Sequence, residues 1–158
     1  MSHYSIVSIV RLIALFLLSI MLPITSAQAT VPYSEMDKST LRKKVSHGDT
    51  LAMHWLARKS SVLETKALWF EKYAQHETRS LSTSYLAYLY DDEDKPGFKD
   101  GEQSYFWYYI TDILCKKERY KDRWCADATQ RMPELKKELP EDTLGSLEAK
   151  AKDWLRKY

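Results

Sequence analysis

The sequence predicts an all-α fold: antiparallel helical hairpins stacked as a short α-solenoid, with capping helices at both ends. Three observations predict it. The stretch Ser84–Tyr108 places an apolar segment (Tyr85, Leu86, Leu89, Tyr90) before an acidic Pro/Gly loop, and then a segment dense in aromatics (Tyr105, Phe106, Trp107, Tyr108). That is the layout of two antiparallel helices joined by a turn. Part of this text recurs upstream: Leu56-Ala57 and Leu86-Ala87 lie 30 residues apart, and Trp69 and Trp107 lie 38 apart. Spacings of this size belong to helix-pair repeats. Finally, 4 glycines and 13% aromatic residues favour a helical, aromatic-packed body over a sheet.

Residues 1–29 predict a cleaved secretory leader rather than part of the fold. Arg11 is the only Lys or Arg before the apolar run Leu12–Ile24, which is short for a bilayer span and is interrupted by Pro23. Ala27 and Ala29 then supply small residues at −3 and −1 of a cut after Ala29. No cysteine follows the run, which argues against a lipid anchor. The expected location is the periplasm of a bacterium, with secretion as the alternative. Residues 30–158 are one domain's length, able to bury roughly two-thirds of the unfolded surface. Lys+Arg 24 against Asp+Glu 22 gives no electrostatic argument for nucleic acid. No second long apolar run predicts stable membrane insertion after the leader is removed.

The remaining chain is read as helices in order. Residues 34–46 form a first, capping helix (Met36, Leu41, Val45), broken by Gly48-Asp49, with Asp49 a natural N-cap for the next helix. Residues 50–60 carry Leu51, Ala52, Trp55 and Leu56 at helical spacing. Ser61 with Glu64 three residues on has the form of a capping box. It opens a helix whose Leu63, Ala67, Phe70 and Ala74 share one face. These make a hairpin over about 48–76, and a second lies over about 80–117. Residues 119–157 supply the closing cap. They give one helix over 120–132 (Trp124, Ala128, Met132), Pro133 and Pro140 as punctuation, and a last helix over about 142–157 (Leu144, Leu147, Ala151, Trp154, Leu155).

The second hairpin resembles a Sel1-like repeat, the TPR-related helical hairpin. Leu86, Ala87, Tyr90, Gly97, Lys99, Asp100, Trp107 and Tyr108 fill the places of its pattern, and Ser104 stands where the family prefers Ala. The text Gly48-Asp49, Ala52, Leu56-Ala57, Ala67, Trp69-Phe70, Lys72, Ala74 is similar, with a short loop lacking the Gly-x-Gly and Lys-Asp elements. The resemblance implies an array closed by a Trp-bearing helix, with Trp69, Phe70, Trp107 and Tyr108 as core. It also implies that the first helix of each hairpin lines an inner curve. Met53, Arg58, Thr83 and Tyr88 would be its less buried positions and a protein-binding surface.

Cys115 and Cys125 both lie beyond the leader. They lack the Cys-x-x-Cys spacing usual for redox catalysis and the four ligands of a structural metal site, so a structural disulfide is expected. His47, His54 and His76 sit at no ligand spacing and are expected at the surface. Asp91, Asp92, Glu93 and Asp94 lack the alternating ligands of a calcium loop. They are expected in a solvated loop that could grip a basic patch on a partner. No Gly-rich phosphate loop or nucleophile elbow occurs, and neither a cofactor, a metal nor catalysis is expected.

The expected function is therefore a non-enzymatic periplasmic protein-binding module. Within that class the expectation is an immunity or inhibitor protein that neutralises a secreted toxin acting in the cell envelope, a role the resemblance supports. The alternatives are an envelope adaptor or regulator, a structural subunit, and a carboxylate-based envelope hydrolase.

Overall fold

The computed structural model describes residues 31–118 and 122–158, and every regular element among them is a helix. The expected leader lies outside the described residues. Seven helices succeed one another among those described: α1 (Lys38–Ser46), α2 (Thr50–Arg58), α3 (Leu63–His76), α4 (Ser80–Asp91), α5 (Gly101–Lys117), α6 (Arg123–Glu138) and α7 (Glu141–Lys157).

Side-chain caps set several of these boundaries. The Asp37 carboxylate accepts the Thr40 N–H at 2.7 Å and starts α1. Gly48 ends it with φ 84°, the left-handed turn that a residue with a Cβ adopts only at a cost. Asp49 then caps α2 by accepting the Ala52 N–H at 3.1 Å. Asp100 caps α5 through the Gln103 N–H, and its own N–H bonds to the Tyr90 carbonyl, closing the hairpin loop. The start of α4 is capped from another helix end. Glu118, just past α5, accepts both the Ser80 N–H at 2.7 Å and the Ser80 hydroxyl at 2.5 Å. A carboxylate there also meets the positive end of the helix dipole.

Two boundaries depart from expectation. The capping box at Ser61 does not form: α3 begins at Leu63, with Val62 as an N-cap that makes no side-chain bond. Pro133 does not end α6 but sits inside it, and the helix runs on to Glu138. Thr129 and Pro133 are both exposed, so the Thr129 carbonyl that the proline leaves without an intrahelical donor is within reach of water. Continuing the helix also seats Leu135, which is fully buried.

Consecutive helices pack against one another from α1 to α6, and α7 then folds back onto α5. This makes α5 the central element, in contact with α4, α6 and α7 and buried on several sides. Trp107 illustrates the packing: it is buried in the main core and meets Trp154 of α7 edge-on at 5.4 Å. Phe70, Trp107 and Tyr108 lie in that core as expected. A smaller cluster of Met36, Leu41, Ala52 and Leu56 holds α1 to α2, and the half-buried Trp69 touches both clusters.

The burial pattern of α2 returns in α4 thirty residues later. Ala52/Ser82, Met53/Thr83, Leu56/Leu86 and Ala57/Ala87 are buried, Trp55/Tyr85 half-buried, and Arg58/Tyr88 exposed. Cys115 and Cys125 are joined in a disulfide, with Cα atoms 5.7 Å apart, linking the end of α5 to the start of α6.

Candidate functional site

Helical spacing decides which residues share the outward face of α2. Positions i, i+4 and i+7 lie on one stripe, and here they are Leu51, Trp55 and Arg58. The corresponding stripe on α4 is Leu81, Tyr85 and Tyr88. Leu51 is 43% exposed and Tyr88 37%, both high for large apolar side chains in this protein. The Arg58 guanidinium lies over the Trp55 ring, 5.1 Å from its centroid. A cation over an indole face is held by the ring quadrupole, which restricts an otherwise mobile side chain.

His54 joins the two stripes from beneath. Its ring contacts Trp55 (5.7 Å between centroids), Phe70 (5.9 Å), Tyr73 (5.4 Å) and Tyr85 (4.9 Å). The surface position expected for His54 is therefore incorrect: it is 8% exposed inside an aromatic joint of α2, α3 and α4. Burial, with a smaller push from the Arg58 charge, lowers its pKa from 6.5 to about 4, so it is neutral at pH 7. His47 and His76 are exposed as expected.

Two of the four expected inner-face residues are not at the surface. Met53 is 6% exposed and Thr83 is fully buried, its hydroxyl 2.8 Å from that of Thr111 on α5. A step of five residues turns a helix by roughly 140°, so Met53 cannot share the outward stripe of Arg58, nor Thr83 that of Tyr88. Arg58 and Tyr88 are outward. The Tyr88 hydroxyl donates to Asp127 of α6; burial first, and then this carboxylate, raise the phenol pKa above its ordinary value.

The acidic run is not a free patch of four charges. Asp91 accepts two hydrogen bonds from Arg131 of α6, from Nε at 2.8 Å and Nη2 at 2.9 Å, in fork geometry. Arg131 also donates to Glu134 at 2.7 Å. Asp92 pairs with Lys95, and Glu93 accepts from Lys99 at 3.2 Å. Asp94 is the exposed carboxylate of the four that no ion pair engages among the described residues. Sequence reasoning missed Trp55, Asp127 and Arg131. The first was readable from its i, i+3 spacing to Arg58; the other two reach α4 from about forty residues away.

A groove of about 810 Å³ runs beside the disulfide, lined in part by Asp112, Met132 and Pro133. Its most buried carboxylate, Asp112, is paired with Lys116 at 2.5 Å. Among the described residues no three His, Cys, Asp or Glu side chains converge as metal ligands would. No helix there is long and apolar enough to cross a membrane. No family model matches the chain, and no match to it is found among curated proteins or solved structures.

Proposed function

We propose that this chain is a protein-binding module of the bacterial cell envelope, and within that class an immunity or inhibitor protein that occludes a secreted toxin. The reading takes the helices as a short α-solenoid of Sel1-like hairpins. It is supported by the burial pattern that α4 repeats from α2 and by the packing of consecutive helices. The observation that carries binding is the stripe of exposed Leu51, Arg58 and Tyr88 with half-buried Trp55 and Tyr85 along the first helices of the two hairpins. Trp, Tyr and Arg dominate interface energetics because each buries much area with few degrees of freedom, or forms charge-assisted bonds.

The test is affinity capture from envelope extract and culture supernatant with the full-length chain, beside a Trp55→Ala/Arg58→Ala/Tyr88→Ala variant. The expected result is one stoichiometric partner, absent with the variant, whose toxicity is suppressed when the wild-type chain is co-expressed. A partner that is not toxic and is bound weakly would favour the adaptor role. Capture of nothing by the wild-type chain would remove the binding reading, and the protein would then be assayed for cell-wall hydrolysis.

A further inference from the structure

The cations of this protein differ in what they already hold. Arg131 gives its donors to Asp91 and Glu134, and the Lys59 ammonium donates to the Ser34 carbonyl at 2.7 Å. Among the described residues Arg58 engages only the Trp55 face, so its guanidinium rests over that ring with no carboxylate on its hydrogen-bonding edge. That edge is built to bind a carboxylate through two parallel bonds. The segment that carries Arg58 is basic in composition. Residues 31–62 contain six Lys or Arg against three acidic residues; Asp37 and Asp49 cap helices, and Lys44 pairs with Asp49, which leaves the segment net positive.

Resting on the protein-binding reading, we infer that this face takes an acidic protein segment. An Asp or Glu of the partner is received by Arg58, and a neighbouring apolar side chain covers Leu51 and Trp55. The apolar flank favours a peptide chain over a bare anion. The equivalent position on α4 is Tyr88, already bonded to Asp127, so α2 is the end of the face that fixes the acidic residue.

The test is a selection of displayed random 12-residue peptides on the full-length, disulfide-bonded chain. Affinities of the enriched peptides are then measured on wild type, Arg58→Gln and Arg58→Lys. The expected outcome is enrichment of peptides that set Asp or Glu beside Leu, Ile or Phe. Their affinity should fall about tenfold or more in Arg58→Gln, with partial recovery in Arg58→Lys. Arg58 is exposed, so both variants should melt where the wild type does; this separates a binding loss from a folding loss. Enriched peptides without carboxylates, or equal binding to Arg58→Gln, would overturn the acidic occupant and leave the protein-binding reading standing. No enriched peptide at all would overturn the acidic segment as occupant, while the protein-binding reading stands or falls with the affinity capture. Two further outcomes would reassign the face and overturn the proposal. One is binding to phosphatidylglycerol vesicles that Arg58→Gln abolishes, and the other is a concentration-dependent dimer that the same change dissolves.

Discussion

His54 makes the protein's stability depend on pH in a way that one substitution should remove. Its ring is enclosed by Trp55, Phe70, Tyr73 and Tyr85, with the Arg58 cation nearby, so the folded state disfavours the imidazolium. The folded pKa of about 4 lies below the ordinary 6.5. The unfolded chain therefore takes up the proton first. The contribution is fully present above pH 6.5 and is lost as the pH falls from there towards 4. At 1.36 kcal/mol per pH unit that window amounts to about 3 kcal/mol. Relaxation of the surroundings around the charged ring reduces this to about 2 kcal/mol, most of it gone by pH 4.5. Replacing His54 with Phe keeps an aromatic ring and removes the titration. The assay is urea unfolding of both proteins, disulfide intact, at pH 7 and 4.5. Wild type should lose about 2 kcal/mol more than His54→Phe, a difference of about 1 M in midpoint shift. Asp37 and Asp49, whose pKa values the fold lowers, contribute equally to both proteins and cancel. Equal acid sensitivity within about 0.5 kcal/mol would refute the reasoning.

Three further changes are predicted. Replacing Cys115 and Cys125 with Ser opens the loop across 10 positions and should cost about 3 kcal/mol in the chain-entropy view. An unfolding midpoint equal to that of the oxidised wild type would contradict this. Ser104 is fully buried and its hydroxyl has no partner among the described residues, so Ser104→Ala should stabilise by about 1 kcal/mol; a lower melting temperature would show that the hydroxyl is satisfied. Arg131→Met strands the largely buried Asp91 and should cost about 2 kcal/mol, of which Asp91→Asn in the same chain restores part. Simple additivity of the two changes would show that the pair is not coupled.

The all-helical character, most helix limits and the disulfide pairing were legible because each rests on local or compositional signals. Leu63, Ala67, Phe70 and Ala74 trace one face, and Asp49 and Asp100 sit where caps are needed. The burial of Met53, His54 and Thr83 was less legible. A helix flanked by neighbours on two sides buries a broad arc, so a residue off the main apolar stripe is covered by elements that periodicity does not reveal. The thirty-residue offset between α2 and α4 was readable, but the outward phase was not. It runs through Leu51, Trp55 and Arg58 rather than through Met53 and Arg58. The Asp91–Arg131 pair lay beyond local reading, since nothing near Asp91 in the chain points to a residue forty positions on. Pro133 misled because its cost depends on whether the orphaned carbonyl faces water, a property of the assembled helix.

Trp69 touches both hydrophobic clusters, and the smaller one contains only four buried side chains. The two ends of the molecule should therefore not open together. Amide hydrogens of α1 and α2 should exchange with solvent through a partial opening that leaves α4–α7 intact, with Trp69 as the hinge pin of that opening. The end that opens first is also the one that carries Leu51, Trp55 and Arg58. A partner seated there would clamp the loosest part of the chain. Its arrival would thus register as slowed exchange far from the contact, throughout α1, before any change in the average structure.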